Sequence, residues 1–156
     1  MAQLLAAWRH ARLPVVHVQH LSTRADSPLR PGQSGCEFKP EVTPAPGEKR
    51  FTKTVNSAFI GTDLEDYLHE HGYRSLVVAG LTTDHCVSTS VRMAANLGFA
   101  VTLVPDATAT FDRAAPDGTL IPAEEMHRIH LASLEGEFCD LQSTRQLLAL
   151  VSTGGG

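Results

Sequence analysis

The sequence predicts an α/β fold, a Rossmann-like three-layer α/β/α arrangement around a mainly parallel sheet, in one domain spanning residues 1–156. Three observations carry this. The apolar run Leu76–Ala79 is too short for a helix and ends at Gly80, which reads as a strand buried on both faces. Val87, Val91, Ala94 and Ala95 then recur at helical spacing and give one apolar face, closed by Gly98. Ala100–Val104 is a second short apolar run, so the segment is a βαβ unit with parallel strands and a right-handed crossover.

The other elements follow in chain order. Leu4, Leu5, Trp8 and Arg12 are spaced as on a helix within Met1–Leu13, and Pro14–His20 reads as a strand. Ser22–Glu48 holds five prolines and three glycines without apolar periodicity, so it is a long loop. Loops of that length in small domains are usually functional or disordered, and this one leads to a strand at Lys53, so it is expected to fold over a site or a subunit contact. Thr62-x-x-Glu65 matches a capping box for a helix that stops at Gly72. A last strand, Phe138–Gln142, runs into Ser143-x-x-Gln146, a second capping box, and a helix through Val151; Gly154–Gly156 is tail.

Composition bounds the function. With 42% hydrophobic and 19% charged residues the chain is an ordinary globular protein, and a net charge of −4 argues against a nucleic-acid surface. No apolar run is long enough to span a bilayer and no signal peptide opens the chain, so the expectation is a cytoplasmic protein without membrane partners. Cys36, Cys86 and Cys139 have neither paired nor metal-type spacing, which suits a reducing compartment.

Cys86 is the residue around which chemistry is read. It lies where the strand ending at Gly80 turns into a helix, and unpaired N–H groups in a first helical turn stabilise a thiolate or an oxyanion. The plainer alternative is a buried structural cysteine. Lys53, flanked at alternate positions by Phe51 and Val55, sits at a strand end, although most lysines are solvated surface groups. Eight histidines raise the question of a metal. His127 and His130 are spaced as on one helix face, but without a third ligand that pattern is more often a polar face, and no metal or other cofactor is expected. Gln19 and His20 end a strand, where polar residues face the ligand crevice of open α/β sheets, and His85 adjoins the cysteine.

The string GLTTDHCV at Gly80–Val87, followed by Arg92, Met93 and Ala94, resembles the signature of the isochorismatase-like cysteine hydrolases. FTKTVNSAFIGTDLEDYL at Phe51–Leu68 is similar to the lysine segment of that family, and VPDATATF and a helix bearing His127 follow in the family's order. The resemblance implies that Cys86 is the nucleophile, Lys53 its cationic partner, and the backbone N–H groups of Thr82 and Cys86 an oxyanion hole behind a cis Leu81–Thr82 peptide. It also implies a pocket for a small-molecule substrate, for which Gln19, His20, Phe59 and His85 are candidate lining. The reaction implied is cleavage of a C–N bond in a small amide, carbamoyl or lactam compound through a Cys86 thioester. The family's aliphatic-Asp-x-Gln strand, which bears its catalytic acid, has no counterpart in the 156 residues. That sustains a second reading, an N-terminally short relative that binds a small molecule or forms an oligomer. It also leaves an empty slot between the strands at Val15–His20 and Leu76–Gly80, whose unpaired backbone groups would cost more than a domain tolerates. Three outcomes are open: the two strands pair directly, a segment of another subunit fills the slot, or residues upstream of Met1 do. A homodimer or larger homo-oligomer is expected from that slot.

Overall fold

Parallel strands fall into two hydrogen-bonded groups in the computed structural model, which describes residues 1–153. The expected glycine tail, Gly154–Gly156, lies outside the described residues. Helix α1 (Ala2–His10) leads to β1 (Val16–His20), which pairs in parallel with β2 (Lys49–Lys53). Helix α2 (Leu64–Glu70) then leads to β3 (Ser75–Leu81), which pairs in parallel with β4 (Ala100–Ala109), and β4 with the short β7 (Asp140–Leu141). Between β3 and β4 the chain makes a π-helical turn, Thr83–Val87, continuous with α3 (Ser88–Asn96). A small antiparallel pair, β5 (Arg113–Ala114) and β6 (Leu120–Ile121), precedes α4 (Ala123–Ala132), and α5 (Thr144–Thr153) closes the described chain. The α/β class and the βαβ crossover are as the apolar periodicity predicts, and no described helix is long and apolar enough to cross a membrane.

The main core lies on one face of these strands, where Val91 and Ala94 of α3 meet Leu103 and Val101 of β4, with Phe51, Leu64, Leu68 and Leu134 around them. A smaller cluster, Leu4, Val104, Ala107 and Leu147 with Trp8 against it, joins α1 to β4 and α5 on the other face. Helix ends follow the local chemistry. Gly72 and Gly98 adopt φ of 71° and 88° just beyond α2 and α3, a conformation that side chains with a Cβ resist. Ser143 and Gln146 form the reciprocal capping box: Ser143 N–H donates to Gln146 Oε1 at 2.8 Å and Gln146 N–H to Ser143 Oγ at 3.3 Å.

Two expectations need correction. The Thr62–Glu65 box does not form, because the N-cap of α2 is Asp63. The Thr62 hydroxyl donates to the Ala58 carbonyl at 2.6 Å and accepts from the Leu64 N–H at 3.4 Å, so it ties the preceding turn to the helix start. Nor is β3 buried on both faces. Leu76 and Val78 join the core, whereas Val77 is 41% exposed and with Ala79 faces a shallow cleft of about 190 Å³ beside α1. Helix α1 spends its apolar face on β4 and α5, through Leu4 and Leu147, and so leaves this side of β3 incompletely covered.

The strand β4 outruns its expected end at Val104. Its ladder with β3 breaks near Pro105, since Val78 pairs with Leu103 but Gly80 with Thr108. Proline has no N–H for the ladder, and the extra residues bulge outward there. In the bulge, Asp106 Oδ1 accepts the Thr144 N–H at 2.8 Å and so holds the start of α5.

Candidate active site

Strands β1 and β3 do not close up on one another: they are not hydrogen-bonded, and between them opens a cleft of about 510 Å³. Val16 and Val18 line one wall, residues 75–81 the other, with Phe59 and Ala58 on its margin and Lys53 and Cys86 within it. The cysteine arrives from the π-helical turn and the lysine from the end of β2.

Lys53 is the organising charge. Only 5% of it is exposed, and its ammonium contacts Cys86 Sγ at 3.1 Å, the Val55 carbonyl at 2.8 Å and His20 Nδ1 at 3.0 Å. An ammonium has three N–H donors, and here each has one acceptor. His20 is the register partner of Lys53 across the β1–β2 ladder, which is why the two side chains meet. Burial and then the Lys53 charge push His20 below the ordinary imidazole range.

The turn that presents Cys86 is tied down from both sides. The Leu81–Thr82 peptide is cis, and the Thr82 carbonyl accepts from His85 N–H and Val87 N–H at 3.2 Å each. Asp84, its side chain 4% exposed, accepts from Arg113 Nε at 2.8 Å and from the Thr110 hydroxyl. Burial opposes its charge, yet bonds from Arg113, Thr110 and Thr82 outweigh that and hold the carboxyl well below the usual carboxylate range. Thr83, fully buried, hydrogen-bonds His127 Nδ1 at 2.7 Å, so α4 braces the turn from behind.

The sequence-derived candidates thus divide. Lys53 contacts both Cys86 and His20, Thr82 heads the same turn as Cys86, and Phe59 borders the cleft. The Gln19 carboxamide is engaged elsewhere: it donates to the Cys36 carbonyl at 2.6 Å and accepts from Arg50 at 3.0 Å, fastening the long loop to β1. His85 is exposed and lies 3.4 Å from Arg113. Arg113 is absent from the sequence-derived set, because nothing local links it to an aspartate 29 residues away. Val55 contributes only a carbonyl, for which side-chain identity carries no signal.

The chain matches the model of the isochorismatase domain over residues 1–146. It is 41% identical to the uncharacterized isochorismatase family protein YrdC of Bacillus subtilis (strain 168), over 95% of this chain and 79% of that protein. An isochorismatase-family protein of known structure from Chromobacterium violaceum superposes with a TM-score of 0.93 at 47% identity, covering 97% of this chain and 79% of the other. Ureidoacrylate amidohydrolase RutB of Caulobacter vibrioides is 36% identical over 57% of this chain and 38% of its own length. With the lysine, the cysteine turn and the βαβ unit all in the expected order, the chain belongs to the isochorismatase family of hydrolases.

Proposed function

We propose that the protein is a cysteine hydrolase that cleaves a C–N bond next to a carbonyl in a small amide, carbamoyl or lactam compound. The observation that carries this is the 3.1 Å contact between the Lys53 ammonium and Cys86 Sγ at the wall of a 510 Å³ cleft. An ammonium that donates to sulfur supports the thiolate, which is the nucleophilic form. Sγ attacks the substrate carbonyl carbon, and the Lys53 ammonium and the N–H groups of Thr82 and Cys86 steady the oxyanion that develops. The C–N bond then breaks as the nitrogen takes a proton from the Lys53 ammonium, and water hydrolyses the thioester, returning that proton to Lys53 and releasing the acid and the Cys86 thiolate. A relative whose name denotes an amidohydrolase supports the bond type.

Steady-state hydrolysis of a panel of small primary amides, N-carbamoyl compounds and lactams tests the proposal. Turnover of at least one class is expected, with none by Cys86→Ala. A Cys86→Ala variant that keeps wild-type turnover would remove the thioester route.

A further inference from the structure

We propose that His20 is a positioning residue for Lys53: with the Val55 carbonyl it holds two of the three ammonium N–H groups, so that the third points at Cys86 Sγ. The inference rests on the reading of Cys86 as the nucleophile but is tested without substrate. Three contacts support it, at 3.0 Å to His20 Nδ1, 2.8 Å to Val55 O and 3.1 Å to Cys86 Sγ. A lysine side chain is long and rotates freely, so a single contact to sulfur would not fix its head. Two further acceptors, both on the β1–β2 side, remove that freedom.

The direction of the His20 bond follows from chemistry. An ammonium has no lone pair, so Nδ1 must accept and the imidazole carries its proton on Nε2. Because Lys53 is 5% exposed, water has little room to replace the ring nitrogen. The strand ends are also locked to one another, since His20 and Lys53 are register partners and Leu21 N–H donates to the Lys53 carbonyl at 2.8 Å. The charged and titratable groups facing His20 are Lys53 from β2 and, through it, Cys86 from the π-helical turn. A second proton on His20 would turn the acceptor into a donor aimed at a cation. Burial and then the Lys53 charge oppose that proton and outweigh the Val55 carbonyl, which favours it, so the ring is pushed toward its neutral, accepting form.

The test is the rate at which iodoacetamide alkylates Cys86, followed peptide by peptide by mass spectrometry in the wild type, His20→Phe and His20→Asn. Phenylalanine keeps a ring without an acceptor, whereas the asparagine Oδ1 can take the place of Nδ1. We expect His20→Phe to slow alkylation about tenfold at neutral pH, the effect of losing one charge-assisted hydrogen bond, and His20→Asn to restore most of the rate. The wild-type profile should carry an acid limb that His20→Asn lacks. Equal rates in wild type and His20→Phe would overturn the inference, as would an asparagine variant as slow as phenylalanine while both retain native circular dichroism. Should either variant fail to fold, nitrogen-15 NMR of the wild type decides: an Nε2–H tautomer is expected, and an Nδ1–H tautomer excludes the bond. An inactive protein with the phenylalanine-slow, asparagine-restored pattern would sink the hydrolase reading and leave this inference standing. Turnover with unchanged alkylation rates would do the reverse.

Discussion

The part of the molecule built on β3, β4 and β7 and the part built on β1 and β2 are held by different forces. In the first, Val91, Leu103, Val104 and Leu134 are completely buried, and helix and strand meet through apolar side chains close in sequence. In the second, Phe51 also reaches the apolar core, but the contacts that fasten β1 and β2 to α1 and the loop before β2 are polar and distant. Glu48, just before β2, accepts from Arg9 of α1 at 2.7 and 2.8 Å, from His17 of β1 at 2.7 Å and from the Ala45 N–H at 2.7 Å. The site lies on the seam, with the thiol supplied by the apolar part and the ammonium by the polar one. The Lys53–Cys86 contact is therefore one that neither part makes alone.

The sharpest way to break this picture is to remove the charge from the seam. Lys53→Met keeps most of the buried stem and loses the three donors, so the fold should survive. We expect kcat/KM to fall by about 10²–10³-fold on whichever substrate class the wild type turns over, the usual loss for one oxyanion-stabilising donor. Unchanged kinetics would make the 3.1 Å contact incidental.

The same contrast decides how much was legible in the sequence. Val87, Val91 and Ala94 announce a helix face because one buried surface must repeat every 3.6 residues, and the strands on either side are short apolar runs bounded by glycines. The cysteine and lysine were legible as a pair only through the order of their motifs. Glu48 carried no signal, since its partners lie 31 and 39 residues away and a lone glutamate before a strand looks solvated. The Asp84–Arg113 pair was hidden for the same reason, since a long-range polar bond leaves no period in the chain. That β4 continues past Pro105 was hidden because a proline reads as the end of a strand.

Packing is the next comparison. Leu103→Ala, at the fully buried centre of β4, should lower the unfolding free energy by ~2–5 kcal/mol in urea titrations, through lost transfer energy and the cavity left behind. Val18→Ala, half-buried in β1 and beside the open cleft, should cost ~1 kcal/mol, because one side of the valine is already wet. Equal losses at the two positions would show that both parts are packed alike.

Glu48 tests the polar clamp. Hydrogen bonds from Arg9, opposed by burial and helped by Ala45 and His17, hold its carboxyl at about 2, against an ordinary value of 4.5. A carboxyl held low in the folded state contributes its full stability above about 4.5, and the contribution drains away as pH falls through about 2. Glu48→Gln should therefore cost ~1–3 kcal/mol at pH 7, and the gap between wild type and variant should close toward pH 2. A gap that does not change with pH would mean the site matters for shape and not for charge.

The smallest effect is expected where the two parts lean on one another. Helix α5 carries Leu147 into the cluster with Leu4, Trp8 and Val104, so it links α1 to β4. Its start has two supports, the Ser143–Gln146 box and Asp106 on the Thr144 N–H. Ser143→Ala removes the hydroxyl that accepts from Gln146 N–H, while Asp106 continues to satisfy its neighbour and Gln146 can still reach the Ser143 N–H. The loss should be ~0.5–1 kcal/mol, near the low end for caps, and the melting temperature of a domain this size should drop by ~2–4 °C at most. A loss above ~2 kcal/mol would mean that local capping, and not the apolar cluster, keeps α5 in place. The contact joining the two parts would then be polar, as it is at Lys53 and Glu48, and the apolar bridge through Leu147 would be secondary.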